Sequence, residues 1–532
     1  MLDKRKLYID GQWVDPLKPN DLPVINPATE KPIAVISMGT AADIDRAVAA
    51  AKKAFATYGQ TSVEERLALL EKLLAIYKRR YEEMARTITL ELGAPISMST
   101  EQQADVGVGH LQGFINGLKR LKAREVLPNG DVVRREPIGV CGLITPWNWP
   151  INQIALKVVP ALATGSTCVL KPSEFTPLNA LLYAEMVHEA GFPAGTFNLV
   201  NGDGLECGAA LSKHKDVDMM SFTGSTRAGI AVSKDAAETV KRVTLELGGK
   251  SPNLVFADAD LEDRVAGSVR ECFNNSGQSC DAPTRMLVER SVYDKVVEIA
   301  ERTGKEARVG NPEEAGEHIG PLVSHVQFGR VQALIEAGVA EGARVLVGGP
   351  GKPDGFETGY FVKPTIFADV NNEMRIAREE VFGPVLSIIP FDTEEEAIAI
   401  ANDTAYGLAA YVQTGDPERA ERVAARIRAG MVHINGGPHR YGSPFGGFKQ
   451  SGNGREGGLF GLEDFLEVKT HSVTAKAKSG RRCSKGCRLC FRPKDSVSNI
   501  QCSRVQRGPI TGRDNARPSD GERLESYSAA LR

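Results

Sequence analysis

Cysteine is scarce, with nine in 532 residues, too few for a disulfide scaffold. No apolar run reaches the roughly 18 residues a spanning helix needs. Residues 1–15 (MLDKRKLYIDGQWVD) lack the apolar stretch of a secretory signal. These absences lead us to expect a soluble, cytoplasmic chain with reduced thiols and no membrane partner. Excess charge is missing too: 65 Lys+Arg against 67 Asp+Glu leave a net charge of −2. No global field therefore draws nucleic acid, and none is expected as a partner. Neither H-E-x-x-H nor G-x-S-x-G occurs, which removes the main support for a zinc protease or a serine hydrolase. The remaining composition, 42% hydrophobic and 25% charged, is that of an ordinary globular protein and excludes collagen-like or coiled-coil chains.

The near-neutral total hides an asymmetry. Residues 476–532 hold 14 Lys+Arg and 5 Asp+Glu, a net of +9, which leaves −11 for residues 1–475. Four cysteines (Cys483, Cys487, Cys490, Cys502) also fall in this tail. It shows no apolar period and reads as disordered or anomalous. The C-x3-C-x2-C spacing of Cys483, Cys487 and Cys490 suits an iron–sulfur cluster or, with Cys502, zinc. The abrupt change in composition fits better a shifted reading frame past the normal end, so no metal is assigned.

The body reads as alternating strands and helices. Leu67, Leu70, Leu74, Tyr77, Tyr81 and Met84 recur at helical spacing, which predicts a helix over residues 62–86. Ser62 with Glu65 has capping-box spacing, and Thr393 with Glu396 repeats it. Short apolar runs at 139–144, 167–170, 196–200, 243–247, 253–256, 286–288, 385–390 and 431–434 suit strands buried on both faces of parallel sheets. The fold class is α/β, with two such sheets. Asn129-Gly130, between runs of branched residues, predicts a polar hairpin over 121–136 that projects from the core.

Five stretches carry candidate chemistry. In FNNSGQSCDAPTR (273–285), Cys280 follows small polar residues that keep its sulfur open. A lone cysteine is usually a small buried hydrophobe; company changes that reading. LELGGKSP (245–252) puts Glu246 at a strand end, and a thiol with a carboxylate base is the pair needed for acyl transfer through a thioester. In LITPWNWP (143–150), Asn148 offers an amide donor for an oxyanion. Lys171 and Glu174, in LKPSEFTP (170–177), follow a strand where doubly wound sheets bind ligands. SFTGSTRAG (221–229) is a glycine-rich strand-to-helix junction whose free N–H groups suit a phosphate. The G-x-G-x-x-G at 452–457 lacks the strand–helix–strand context of a dinucleotide fingerprint. Gly249-Lys250-Ser251 lacks the first glycine of a P-loop.

Together these stretches resemble the aldehyde dehydrogenase superfamily, in its hydrolytic NAD(P)-dependent branch. REEVFGPV (378–385), PFGGFKQSGNGRE (444–456) and YIDGQWV (8–14) strengthen the resemblance, which runs from about residue 7 to 473. It implies two doubly wound parallel-sheet domains plus a small β oligomerisation domain. Residues 1–120 and 140–247 would bind NAD, 248–450 would form the catalytic domain, and 121–139 with 451–475 would assemble a homodimer or homotetramer. The resemblance makes Cys280 the nucleophile, Glu246 the base and Asn148 the oxyanion donor. Lys171 and Glu174 would bind the adenosine ribose, and Ser225, beside Gly224, the pyrophosphate. Glu380 would hold the nicotinamide ribose, with Phe382 and Trp147 beside the cofactor. Glu174 favours NAD over NADP, because a carboxylate accepts from a 2′-OH and repels a 2′-phosphate.

The reaction implied is oxidation of a small-molecule aldehyde to its acid. The resemblance places Trp149, Gln153, Ser279, Asp281 and the 439–445 loop around the aldehyde. Asp281 departs from the Cys, Thr or Ser expected after the nucleophile. Trp149, Tyr441 and Phe445 suit an apolar body, and Arg440 reads as a solvated loop charge. A CoA-acylating relative is disfavoured by Glu246, and a non-enzymatic relative by the presence of Cys280, Glu246 and Asn148.

Overall fold

The computed structural model describes residues 1–472; the expectations for 476–532, including its cysteines, lie outside the described residues. Two large sheets organise the rest. The first has eight strands, in the order Gly452–Asn453, Arg242–Glu246, Met219–Thr223, Val140–Ile144, Thr167–Lys171, Phe197–Leu199, Leu7–Ile9 and Gln12–Val14. Its central five pair in parallel, and the flanking strands are antiparallel. Val140–Ile144, Thr167–Lys171 and Met219–Thr223 are buried at every residue, as expected where helices cover both faces. The chain enters this sheet's parallel core at Val140–Ile144, adds two strands on one side, then crosses to add Met219–Thr223 and Arg242–Glu246 on the other. The crevice at the carboxyl ends beside that reversal is where open α/β sheets take ligands.

The second sheet has seven strands, in the order Arg344–Val347, Thr365–Ala368, Val385–Phe391, Arg285–Glu289, Pro252–Val255, Ala409–Gln413 and Met431–Ile434. All pairings but that of Arg344–Val347 are parallel. A third, antiparallel sheet joins Arg124–Val126 and Val132–Pro137 to Leu466–His471. The Asn129-Gly130 hairpin is thus formed, with Gly130 at φ 92°. Gly452–Asn453, inside the expected 451–475 assembly segment, instead pairs beside Glu246 in the first sheet.

Local signals explain several elements. Helix Pro150–Thr164 opens with proline at its first position. It is apolar nearly all round, and only Asn152 escapes burial, as a helix sandwiched in a core requires. The expected single helix over 62–86 is two, Val63–Arg79 and Tyr81–Leu92. The break falls at Arg80 (φ −102°, ψ 20°), whose guanidinium bridges Glu83 and Glu185 at 2.7–2.9 Å. The apolar period runs unbroken through Arg80, so periodicity does not reveal the bend. The Ser62 capping box forms, with Glu65 N–H donating to Ser62 Oγ at 3.2 Å and Ser62 N–H to Glu65 Oε2 at 2.7 Å; at Thr393 only half forms, Glu396 N–H donating to Thr393 Oγ1 at 3.2 Å while the Glu396 carboxylate accepts from Asp392 N–H at 2.6 Å.

Candidate active site

Strand ends deliver the site. Pro146, Trp147 and Asn148 follow the Val140–Ile144 strand, Gly224 and Ser225 follow Met219–Thr223, and Glu246 ends its own strand. These residues line one cleft of about 620 Å3 with Cys280, Glu380 and Phe382. Eight of the ten expected site residues therefore share a wall. Lys171 and Glu174 do not line it; they lie at the carboxyl end of the adjacent Thr167–Lys171 strand, with Lys171 Nζ 3.6 Å from Glu174 Oε2. Lys171 is buried, and its ammonium donates to the Gly202 and Pro172 carbonyls at 2.6 and 2.9 Å.

The cysteine loop is held by a mesh of amides. Asn148 Nδ2 donates to the Gln278 carbonyl at 3.0 Å. The Asn148 carbonyl accepts from Asn275 Nδ2 at 2.8 Å and Gln103 Nε2 at 3.1 Å. Asn275, Ser276 and Gly277 adopt left-handed φ of 51°, 56° and 71°, a run of strain of the kind that active sites hold in place. A Cβ on Gly277 would lie 2.0 Å from the Gly383 carbonyl, so glycine lets this loop press against the Phe382 segment. A Cβ on Gly249 would lie 2.3 Å from the Cys280 carbonyl. Gly249 thus allows two backbones to touch behind Cys280, and Gly248 lets the Glu380 carboxylate approach.

Electrostatics disfavour charge throughout. Burial pushes the Cys280 thiol well above its ordinary range, and Asp281, Glu380 and Glu246 add to the effect. Glu246 is buried, and neither carboxylate oxygen has a partner. Burial, then the nearby charge of Glu456, raises its carboxyl well above the usual range. Glu456 in turn ion-pairs with Lys157, whose ammonium donates to Thr223 Oγ1 at 2.6 Å. Lys157 and Glu456 are 299 residues apart, and no sequence signal pointed to Lys157. Glu380 is held by Gly249 N–H at 3.1 Å, and burial pushes its carboxyl up to about 7. Trp147 meets Phe382 edge-on at 5.3 Å between centroids. Ser225 caps helix Thr226–Ala237, accepting from Ala228 N–H at 3.3 Å.

The stretch at 452–457, which does not read as a dinucleotide fingerprint, has a different place. Gly452, at φ 119°, packs so closely that a Cβ would lie 1.9 Å from the Leu245 carbonyl. Ser451 Oγ donates to the Gly248 carbonyl at 2.6 Å. This segment therefore clamps the strand end that presents Glu246.

The arrangement joins a thiol, a nearby carboxylate and an amide donor in one cleft, beside a strand-to-helix junction. Known proteins resemble this chain across the described body. The model of the Aldehyde dehydrogenase family matches residues 13–471. A 3-succinoylsemialdehyde-pyridine dehydrogenase from a Pseudomonas species is 54% identical over 470 residues, 88% of this chain and 98% of that protein. The crystal structure of an aldehyde dehydrogenase from Bartonella henselae is 53% identical, with a TM-score of 0.87 over 88% of this chain and 99% of its own. A cysteine-to-alanine mutant of aldehyde dehydrogenase C from Pseudomonas syringae, crystallised with NAD+ and octanal, is 51% identical, with a TM-score of 0.87 over 88% and 96%. On this agreement of sequence, fold and length, the chain belongs to the aldehyde dehydrogenase family.

Proposed function

We propose that this enzyme oxidises an aldehyde to the carboxylic acid with NAD, through a thioester on Cys280 that Glu246 helps to hydrolyse. The observation that carries the reading is that Cys280, Glu246 and Asn148 share a cleft with Gly224, Ser225, Glu380 and Phe382. A nicotinamide dinucleotide fits these residues. Glu380 receives one protein hydrogen bond, from Gly249, which leaves acceptor capacity for ribose hydroxyls. The helix beginning at Thr226 presents its N-terminus at the cleft, as a pyrophosphate requires. When bound, the cofactor supplies the acceptor for a hydride.

The chain's own residues do the rest. Glu246 takes the proton of the Cys280 thiol, and the sulfur forms a bond to the aldehyde carbon. Asn148 Nδ2, together with the Cys280 backbone N–H, stabilises the oxyanion. The oxyanion reforms the carbonyl as hydride departs with its electron pair, leaving an acyl thioester. Glu246 then removes a proton from water, whose oxygen attacks the thioester carbon. The C–S bond breaks, and acid leaves with Cys280 restored as the thiol. Glu456 and Lys157, behind Glu246, offer a route by which its proton leaves.

Glu174, beside Lys171, supports NAD over NADP, and kcat/KM with each cofactor tests this. The pyridine-bearing semialdehyde named for the Pseudomonas relative and the octanal of the syringae structure favour substrates with an extended, largely neutral body. The two large sheets and the small antiparallel one of Arg124–Val126, Val132–Pro137 and Leu466–His471 support an NAD-binding domain, a catalytic domain and an assembly element, with exposed Val126 and Val468 on the small sheet suited to covering by a second copy. Among the described residues no helix is long and apolar enough to cross a membrane. A panel of aldehydes with NAD, read by NADH absorbance, tests the function. Turnover of one or more members is the expected result, and no NADH from any member would remove it. Acyl-CoA formed in step with NADH would instead favour the CoA-acylating reading.

A further inference from the structure

Cys280 has a second face, away from the Glu380–Phe382 cleft. It packs with Tyr411 and Phe445 against Leu408, Ala409 and Met431. Trp149 Nε1 donates to Ser279 Oγ at 2.8 Å on one side, and His439 meets Phe445 edge-on at 5.7 Å on the other. Between them stands Asp281, fixed through its backbone carbonyl, which accepts from Tyr411 Oη at 3.0 Å. The Tyr411 ring is itself stacked on His433 at 4.9 Å.

Among the described residues no lysine or arginine pairs with Asp281, and its carboxylate is reached only by the backbone N–H of its own residue. The groups whose charges reach it are Cys280 on its own loop, Glu271 from helix Leu261–Phe273, Tyr411, His433 and His439. Three of these are acids (a thiol, a carboxyl and a phenol), and two are imidazoles. His433 Nδ1 contacts the Gly437 carbonyl at 2.9 Å, while its Nε2 is buried with no partner. A half-buried carboxylate with no cationic partner biases the local potential, because solvent screens it less than a fully exposed charge.

We propose that Asp281 selects substrates by charge, admitting neutral and cationic aldehydes to Cys280 and rejecting those that carry a carboxylate. This rests on the aldehyde-oxidising reading above. It identifies the substrate class as aldehydes without an anionic group on the body that follows the carbonyl. The His439 imidazole moderates the rejection when protonated. Burial and His433 lower the His439 imidazole, so it is neutral in weakly alkaline solution. Burial raises the Asp281 carboxyl, and Glu271 is pushed up to about 7. Acidification therefore removes negative charge and adds positive charge around the aldehyde, and discrimination should fall with pH.

The test uses the full chain with NAD and three aldehydes of similar length: pentanal, succinic semialdehyde and betaine aldehyde. The quantity read is the kcat/KM ratio of succinic semialdehyde to pentanal, at pH 8 and pH 6.5, in wild type and Asp281→Asn. At pH 8 the substitution should raise this ratio about 10-fold, the change expected for losing one like charge at close range. It should lower the ratio of betaine aldehyde to pentanal. In wild type the first ratio should rise on going to pH 6.5, a readout that survives even if the variant does not fold. Ratios that do not move with either substitution or pH, while pentanal is still oxidised, overturn the proposal and leave the enzyme reading intact. Absence of NADH from all three overturns both.

Discussion

Glu246 carries opposing demands. As the proposed base it would have to ionise to take a proton, yet burial and the charge of Glu456 raise its carboxyl well above the usual range. Substituting Glu456→Gln removes the nearby negative charge, so Glu246 should ionise at lower pH. The acid limb of the single-turnover deacylation rate is therefore expected to move to lower pH, and a limb that stays in place would show that another group sets it. Asn148 is a simpler case. One preorganised oxyanion donor is typically worth about 3–4 kcal/mol, so Asn148→Ala should lower kcat by roughly 100-fold or more. Near-normal turnover in that variant would remove Asn148 from the chemistry. Cys280, Glu246 and Asn148 are legible in the sequence because each sits in a distinctive local setting of glycine, proline or small polar residues. Lys157 and Glu456 are not, since a lysine in an apolar helix and a glutamate in a glycine-rich loop meet only once the chain is folded. Gln103 and Asn275, which hold the Asn148 carbonyl, were equally silent.

Most parallel strands expected from short apolar runs form within a residue or two of those limits, because such strands are buried on both faces and show as unbroken apolar segments. Met219–Thr223 reads only as the approach to a glycine-rich junction, yet it pairs with both Val140–Ile144 and Arg242–Glu246 and positions Ser225. Thr365–Ala368 and Ala409–Gln413 are not among the expected runs, although the first is half β-branched; their parallel partners are set by the fold, not by local pattern. One helix depends on a distant acid. Glu91, fully buried, accepts from the Leu178 and Asn179 backbone N–H groups at 2.6 and 2.9 Å and from Asn179 Nδ2 at 2.8 Å. It thereby satisfies the start of helix Leu178–Ala190, which no local residue caps. Glu91→Ala should cost about 1–3 kcal/mol by leaving buried donors unpaired, seen as a lower urea midpoint. An unchanged midpoint would mean that water replaces the carboxylate without penalty.

Across the molecule, the two large sheets meet in sequence at 247–252, and the groups proposed as catalytic come from both sides of that junction. Order along the chain made the two-sheet α/β reading accessible, while the pairing of Gly452–Asn453 beside Glu246 required the folded structure. Lys250, in the junction itself, is fully buried with no partner for its ammonium. Burial lowers it to about 7. The unfolded chain, with an ordinary lysine, therefore binds more protons than the folded one from about pH 7 upward, so this residue makes stability rise with pH in that window. Above about 8.5 the unfolded thiols begin to ionise and oppose the trend. Lys250→Met should flatten the pH 7–8.5 slope of stability by up to about 1.4 kcal/mol per pH unit, measured by denaturant titration at each pH. A slope equal to wild type would contradict a neutral Lys250.

The thioester on Cys280 is the most direct point of attack on the whole reading. Glu246→Gln is mixed with NAD and an aldehyde that the wild type oxidises. The NADH released in the first turnover is recorded, and the quenched protein is digested for mass spectrometry. The expected result is a burst of NADH matched by one acyl group on the Cys280 peptide, followed by slow turnover. NADH formed at full burst with an unmodified Cys280 peptide, or no burst at all, would contradict it.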